Sequence, residues 1–216
     1  MSGELIVTVE GHGEVAAAAS LVSRVLKAQG SAAVFPSVPT PVRFKIDAPG
    51  QLETACEYAR SKRPAGLLIT SDWEDGEPCH DAPRLAARIR GLDLPFPAAI
   101  VLFFREYETL AISVADKLSG KELQVAKTRP VTLADAKPLP DPEVPRDAKG
   151  WVGKNLMGGR SYKPTLHQLP LTRLMQPADL RAADLPSFRR LERALNHLVR
   201  HAQAGTSGVY PPREQA

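Results

Sequence analysis

Four short apolar runs, separated by helix-forming stretches, constrain this chain more than any other feature. Residues 4–9 (ELIVTV), 41–46 (PVRFKI), 66–70 (GLLIT) and 98–104 (AAIVLFF) have strand length and are rich in branched or aromatic side chains. The first, third and fourth have no polar face, as expected of strands covered on both sides by helices in a parallel sheet. An Ala-rich segment opens at Glu14-Val15 and runs to about Gln29, where Gly30 stops it. Residues 52–62 read as a helix ending before Pro64, residues 82–90 as another, and Glu106-Tyr107-Glu108, at the end of the fourth run, leads into a helical stretch to about 118. Strands alternating with helices predict an α/β fold with an open, mostly parallel four-stranded sheet over residues 1–120.

The remainder divides by composition. Proline, 20 of 216 residues, is densest between 130 and 145, so residues 121–146 read as an extended connection. Residues 147–204 form a basic, partly helical C-terminal region, in which Leu191, Leu195, Leu198 and Val199 make an apolar stripe. Residues 205–216 are expected to be a flexible tail. Hydrophobic residues at 43% and charged residues at 24% argue against a disordered or fibrous chain. The apolar run 97–104 is too short to cross a bilayer. Two cysteines make no disulfide framework, and residues 1–4 have no basic, apolar leader, so a cytoplasmic, membrane-free chain is expected. The net charge of +4 is compatible with a polyanionic partner.

Three of the four strands end in carboxylates: Glu10 after the first, Asp72 and Glu74 after the third, Glu106 and Glu108 after the fourth. In open α/β sheets the ligand crevice lies outside the carboxyl ends of the strands, so acids from separate segments converge on one rim. Residues two apart share a face of an extended strand, which lets Asp72 and Glu74 point together. Glu14, on the first turn of the following helix, leans back beside Glu10. So many carboxylates repel one another, and Mg²⁺ or Mn²⁺, which prefers hard oxygen ligands, would relieve that repulsion. The plainer alternative is a set of acidic, solvated loops, with Glu14 at a helix N-terminus for dipole reasons.

These residues also carry a resemblance. Val9-Glu10-Gly11-His12-Gly13-Glu14 resembles the first motif of the Toprim fold, and Ile69-Thr70-Ser71-Asp72-Trp73-Glu74-Asp75 its acidic second motif. The second glutamate, Glu14, is similar to the pattern of OLD-type nucleases, which pair Toprim domains with ABC-type ATPases. The chain as a whole resembles a bacterial Toprim-like family of unknown function, domain-of-unknown-function family 4276. The shared elements are the Glu-Gly-x-x-Glu start, Glu106-Tyr107-Glu108, Asp147-Ala148-Lys149 and Ser187-Phe188-Arg189-Arg190-Leu191. The family's usual Asp-x-Asp is here Asp72-Trp73-Glu74, followed by Asp75.

The resemblance implies a Mg²⁺- or Mn²⁺-dependent nuclease acting on DNA or RNA, in a defence system beside a separate ABC-type ATPase. Its metal ligands would come from Glu10, Glu14, Asp72, Glu74, Asp75, Glu106 and Glu108, with Glu10, Asp72 and Lys149 at the chemistry. Lys154, Arg160 and Lys163, in a Gly-containing segment with Trp151, are the expected nucleic-acid contacts. The alternative is a non-catalytic subunit that keeps the fold and binds an ATPase or nucleic acid, which the Asp-to-Glu departure favours. No Gly-x-x-x-x-Gly-Lys-Ser/Thr occurs, so no P-loop is present. Cys79 and His80, with distant Cys56 and His12, offer one close ligand pair, short of the usual structural zinc pattern.

Overall fold

A computed structural model describes residues 3–126 and 129–212. Strands β1 (Leu5–Val9), β2 (Val42–Arg43), β3 (Gly66–Asp72), β4 (Ala98–Phe103) and β7 (Val209–Tyr210) form one parallel sheet in the order β2-β1-β3-β4-β7. Helices α1 (Glu14–Ala28), α2 (Gln51–Lys62) and α3 (Pro78–Arg90) link the first four strands. The sheet therefore has five strands where the sequence predicts four. The fifth comes from the expected tail: Ala98 and Ala99 pair with Val209 and Tyr210. A two-residue edge strand has no periodicity for a sequence to display.

Side chains alternate between two cores, as the pleat requires. Leu5, Val7, Val9, Leu68, Ala99, Val101 and Phe103 face one core, which α1 and the C-terminal helix α9 (Pro186–Ala204) cover. Ile6, Leu67, Ile69, Ala98, Ile100 and Leu102 face the other, under α2 and α3. Because β2 and β3 flank β1 on opposite sides, the strand order reverses between β1 and β3, and the crevice of such a sheet opens there.

The helical stretch expected after Glu106-Tyr107-Glu108 is two short helices, α4 (Thr109–Ser113) and α5 (Ala115–Leu118), so Glu106 and Glu108 both precede it. The expected extended connection carries a small antiparallel pair, β5 (Glu122–Leu123) with β6 (Val131–Thr132). Glu143 then anchors this connection. Its buried carboxylate accepts hydrogen bonds from the backbone N–H and the hydroxyl of Ser187 at the start of α9, with the Arg190 guanidinium 3.6 Å away. Beyond it come α6 (Ala148–Trp151), a π-helical turn at Val152–Leu156, α7 (Pro164–Leu174) and α8 (Pro177–Ala182). Among the described residues no helix is long and apolar enough to cross a membrane.

Candidate active site at the carboxyl rim of the sheet

Each acidic residue reaches the rim through the end of its own strand. Glu10 follows β1, and its Oε2 accepts a 2.6 Å hydrogen bond from the Ser71 hydroxyl on β3, which ties the two strand ends together. Glu14 opens α1 and folds back over the loop, where its carboxylate oxygens accept from the backbone N–H of Glu10 and of Gly11 at 3.3 and 3.2 Å. Gly13 is required by space: a Cβ there would lie 2.6 Å from Pro164 Cβ and 2.7 Å from the Pro164 carbonyl carbon, while one on Gly11 would meet the Glu14 carboxylate. Asp72 closes β3, and its Oδ1 accepts from the Tyr107 N–H at 2.8 Å, which joins it to the segment after β4.

The β4 end contributes two buried carboxylates with different partners. Glu106 is matched to α6: its Oε1 accepts from Lys149 Nζ at 2.5 Å and its Oε2 from the Lys149 N–H at 3.0 Å. Glu108, 1% exposed, accepts at Oε1 from the Tyr162 hydroxyl at 2.9 Å, while its Oε2 is buried without a hydrogen-bond partner. Lys149 Nζ also lies 3.6 Å from Asp72 Oδ2.

The electrostatics follow from this crowding. Burial raises the Asp72 carboxyl well above the usual range, and the charges of Glu14 and Glu108 raise it further. Burial also raises Glu14, with Glu10 adding to the effect against the loop hydrogen bonds. Glu108 is pushed up to about 7 by burial, against the opposing pull of Lys149 and the Tyr162 hydrogen bond. For Lys149, burial works to lower the ammonium pKa, but Asp72, Glu106 and Glu108 outweigh it and leave it raised. One ammonium thus offsets a cluster it cannot neutralise.

Two concavities meet at this point, of about 400 and 320 Å³, and Glu10, Asp72 and Glu74 line both. The first also holds Lys45, Asp47, Trp73, Asp75 and Gly76; the second holds the 11–14 loop, Lys149, Thr165 and Gln168. Glu74 is exposed, with its carboxylate on the open side. Asp75 lines the first concavity and lies 3.2 Å from Arg146 in an exposed ion pair.

Glu10, Glu14, Asp72, Glu74, Asp75 and Lys149 therefore line the rim, while Glu106 and Glu108 lie buried behind it, Glu106 against Lys149 and Glu108 against Tyr162. Lys154, Arg160 and Lys163 are exposed, and none lines either concavity. Trp151 is partly buried against the core rather than presented for stacking. Ser71, Tyr162 and Gln168 join the site without having stood out in the sequence. Ser71 sits between the apolar run and Asp72 with no charge of its own to mark it, and Tyr162 is 54 positions from the carboxylate it holds. Among the described residues, the only three His, Cys, Asp or Glu donors within 4.8 Å of one another are Glu77, Cys79 and His80, all exposed. Cys56 is buried on α2, and His12 sits against Arg43, so neither joins Cys79 and His80.

The rim's donor set fits a hard divalent cation. It offers only carboxylate oxygens, one of them an orphaned buried acceptor on Glu108, in a cluster short of positive charge. The rim carboxylates stand wider apart than a closed three-ligand cage, with the Lys149 ammonium against Asp72 and Glu106.

No curated protein and no solved structure matches the chain significantly. A family model, described as a domain of unknown function (DUF4276), matches residues 9–196, from the end of β1 into α9. That span contains every carboxylate of the rim as well as Lys149, Tyr162 and Ser187, and the chain belongs to the DUF4276 family.

Proposed function

We propose that this protein is a Mg²⁺- or Mn²⁺-dependent phosphodiesterase of Toprim type that hydrolyses DNA or RNA. The observation that carries the reading is the convergence of Glu10, Glu14 and Asp72 on one concavity beside the reversal in strand order, with buried Glu108 close enough to Asp72 for its charge to act there. Glu10, Glu14, Asp72 and Glu108, with Glu74 at the open side, would hold the metal. When bound, a divalent ion there supplies Lewis-acid stabilisation of charge growing on phosphate oxygens.

The chain's own groups account for the rest. Ser71 holds the Glu10 carboxylate and Tyr162 holds that of Glu108, so both acids are oriented before any ligand arrives. Lys149 lines the second concavity and lies beside Asp72, where its ammonium meets a phosphate bound against the rim. A cation in that place acts on charge that grows in the transition state. The likeness to OLD-type nucleases extends the proposal to a separate ABC-type ATPase partner and a role in defence against foreign nucleic acid.

One observation favours a second reading, a non-catalytic subunit that binds nucleic acid or an ATPase. Glu74 stands where the Toprim pattern has its second aspartate, with Asp75 next to it in an exposed pair with Arg146. Single-turnover hydrolysis of a labelled oligonucleotide in Mn²⁺ separates the two. The nuclease reading expects cleavage that is lost in Asp72→Asn and in Glu10→Gln; an inactive wild type that still binds the oligonucleotide supports the subunit.

A further inference from the structure

Arg43, at the end of β2, is a cation beside an acidic rim that no carboxylate claims. Its Nε donates to the Glu10 main-chain carbonyl at 2.9 Å, and its Nη1 lies 2.6 Å from His12 Nε2. A guanidinium only donates, so the imidazole nitrogen is the acceptor. The Glu10 carboxylate itself is turned away, to Ser71. The guanidinium of this exposed residue is thus held by the Glu10 carbonyl and the His12 ring, and its Nη2 gives no hydrogen bond among the described residues. A preorganised, unneutralised arginine fork suits a phosphate, because little side-chain freedom remains to be lost on binding. Lys45, two residues on, lines the same concavity as Glu10 and Asp72. Its contact with Asp47, at 3.9 Å between exposed groups, is too weak to hold it.

Position supplies the second half of the argument. Arg43 is level with Val9 on β1, so it lies two strand spacings across and two residues along from Asp72, about 12 Å at the usual strand geometry. A phosphate held at Arg43 is therefore a different one from a phosphate held at Asp72. Lys149 lies on the other side of Asp72, against Glu106 after β4.

We propose that Arg43, held by Glu10 and His12 and assisted by Lys45, binds a second, non-reacting phosphate of a nucleic-acid strand that crosses the rim from β2 towards β4. This rests on the reading of the rim as a phosphodiester site, and it narrows the substrate to a strand with at least two phosphates.

The test is fluorescence anisotropy with a labelled 15-nucleotide single strand in Ca²⁺, across a salt series. Arg43→Gln with Lys45→Gln should weaken binding about tenfold at low salt and reduce the salt slope by about one for each cation. His12→Ala removes the support and keeps the charge, so affinity should fall with the salt slope unchanged. Lys62→Gln, at the far end of α2, controls for net charge. Equal effects of Lys62→Gln and the double variant would overturn the proposal, as would an unaltered slope in the double variant or full affinity in His12→Ala. A wild type that does not bind the strand also overturns it, while Mn²⁺ calorimetry of the rim decides the phosphodiesterase reading separately.

Discussion

The ammonium of Lys149 lies 3.6 Å from Oδ2 of Asp72, on a segment 77 residues further along the chain and outside the strand-helix repeat. This contact joins the basic C-terminal region to the acidic sheet rim. It also gives Lys149 a different role from the exposed lysines near it. Lys149→Ala should lower single-turnover cleavage by about a hundredfold or more while changing oligonucleotide affinity little, because charge that grows in the transition state loses its partner. Lys154→Ala and Lys163→Ala should act on affinity alone, each reducing the salt slope by about one. Single-turnover kinetics and filter binding on the same three variants decide this, and equal, small effects at all three would remove the special role of Lys149.

Glu108 makes stability depend on pH in the metal-free protein. A carboxyl whose folded-state pKa lies above its unfolded value keeps its proton longer in the folded chain. Its contribution is full below the unfolded value, near 4.5, and is lost as pH rises through about 7. Glu108→Gln removes that loss and should make the metal-free protein about 1–3 kcal/mol more stable than wild type at pH 8, with little difference at pH 4.5. Urea unfolding across this range, in chelator, measures it. Parallel pH profiles for the two proteins would show that Glu108 does not titrate there.

Ser71 is fully buried and donates to Glu10, so Ser71→Ala should cost about 0.5–1.5 kcal/mol of stability through the lost hydrogen bond. The freed Glu10 carboxylate should also bind Mn²⁺ about tenfold more weakly. Calorimetric titration beside a denaturation curve reads both effects. A stability loss with Mn²⁺ affinity unchanged would confine Ser71 to the fold.

The Glu143–Ser187 contact makes an independent prediction about the connection. Ser187→Ala leaves a buried glutamate short of a donor and should destabilise the chain by about 1–3 kcal/mol. Far-UV denaturation curves measure the loss, and wild-type stability in the variant would mean that the connection is held by other contacts.

The sequence made the sheet and its acidic rim legible for a physical reason. Runs such as GLLIT have no polar face, so they mark buried parallel strands, and the first charged residue after each marks the rim. Glu10 and Asp72 are found this way, while Glu106 and Glu108 follow Arg105 after the fourth run. The pleat also explains what was hidden. Ser71 occupies an inward position of β3 and looks like one more buried residue until Glu10 comes within 2.6 Å. Tyr162 and Lys149 reach the rim through α6 and the turn after it, and no local period announces that return. β7 is two residues long, and its pairing with β4 depends on α9 carrying the chain back along the sheet. The basic segment was legible only as composition. Its exposed cations Lys154, Arg160 and Lys163 lie outside both concavities; Arg43 does too, but it is bonded to Glu10 and His12, which line them.

The central claim is that the rim carboxylates form a site for a divalent cation. Isothermal calorimetry of the purified protein with Mn²⁺ tests it most directly, with Glu10→Gln and Asp72→Asn measured alongside. The account predicts saturable binding at micromolar to submillimolar Mn²⁺, tightening as pH rises through about 7 as Glu108 gives up its proton, and lost in both variants. No binding by the wild type at millimolar Mn²⁺, or undiminished binding in both variants, would contradict it.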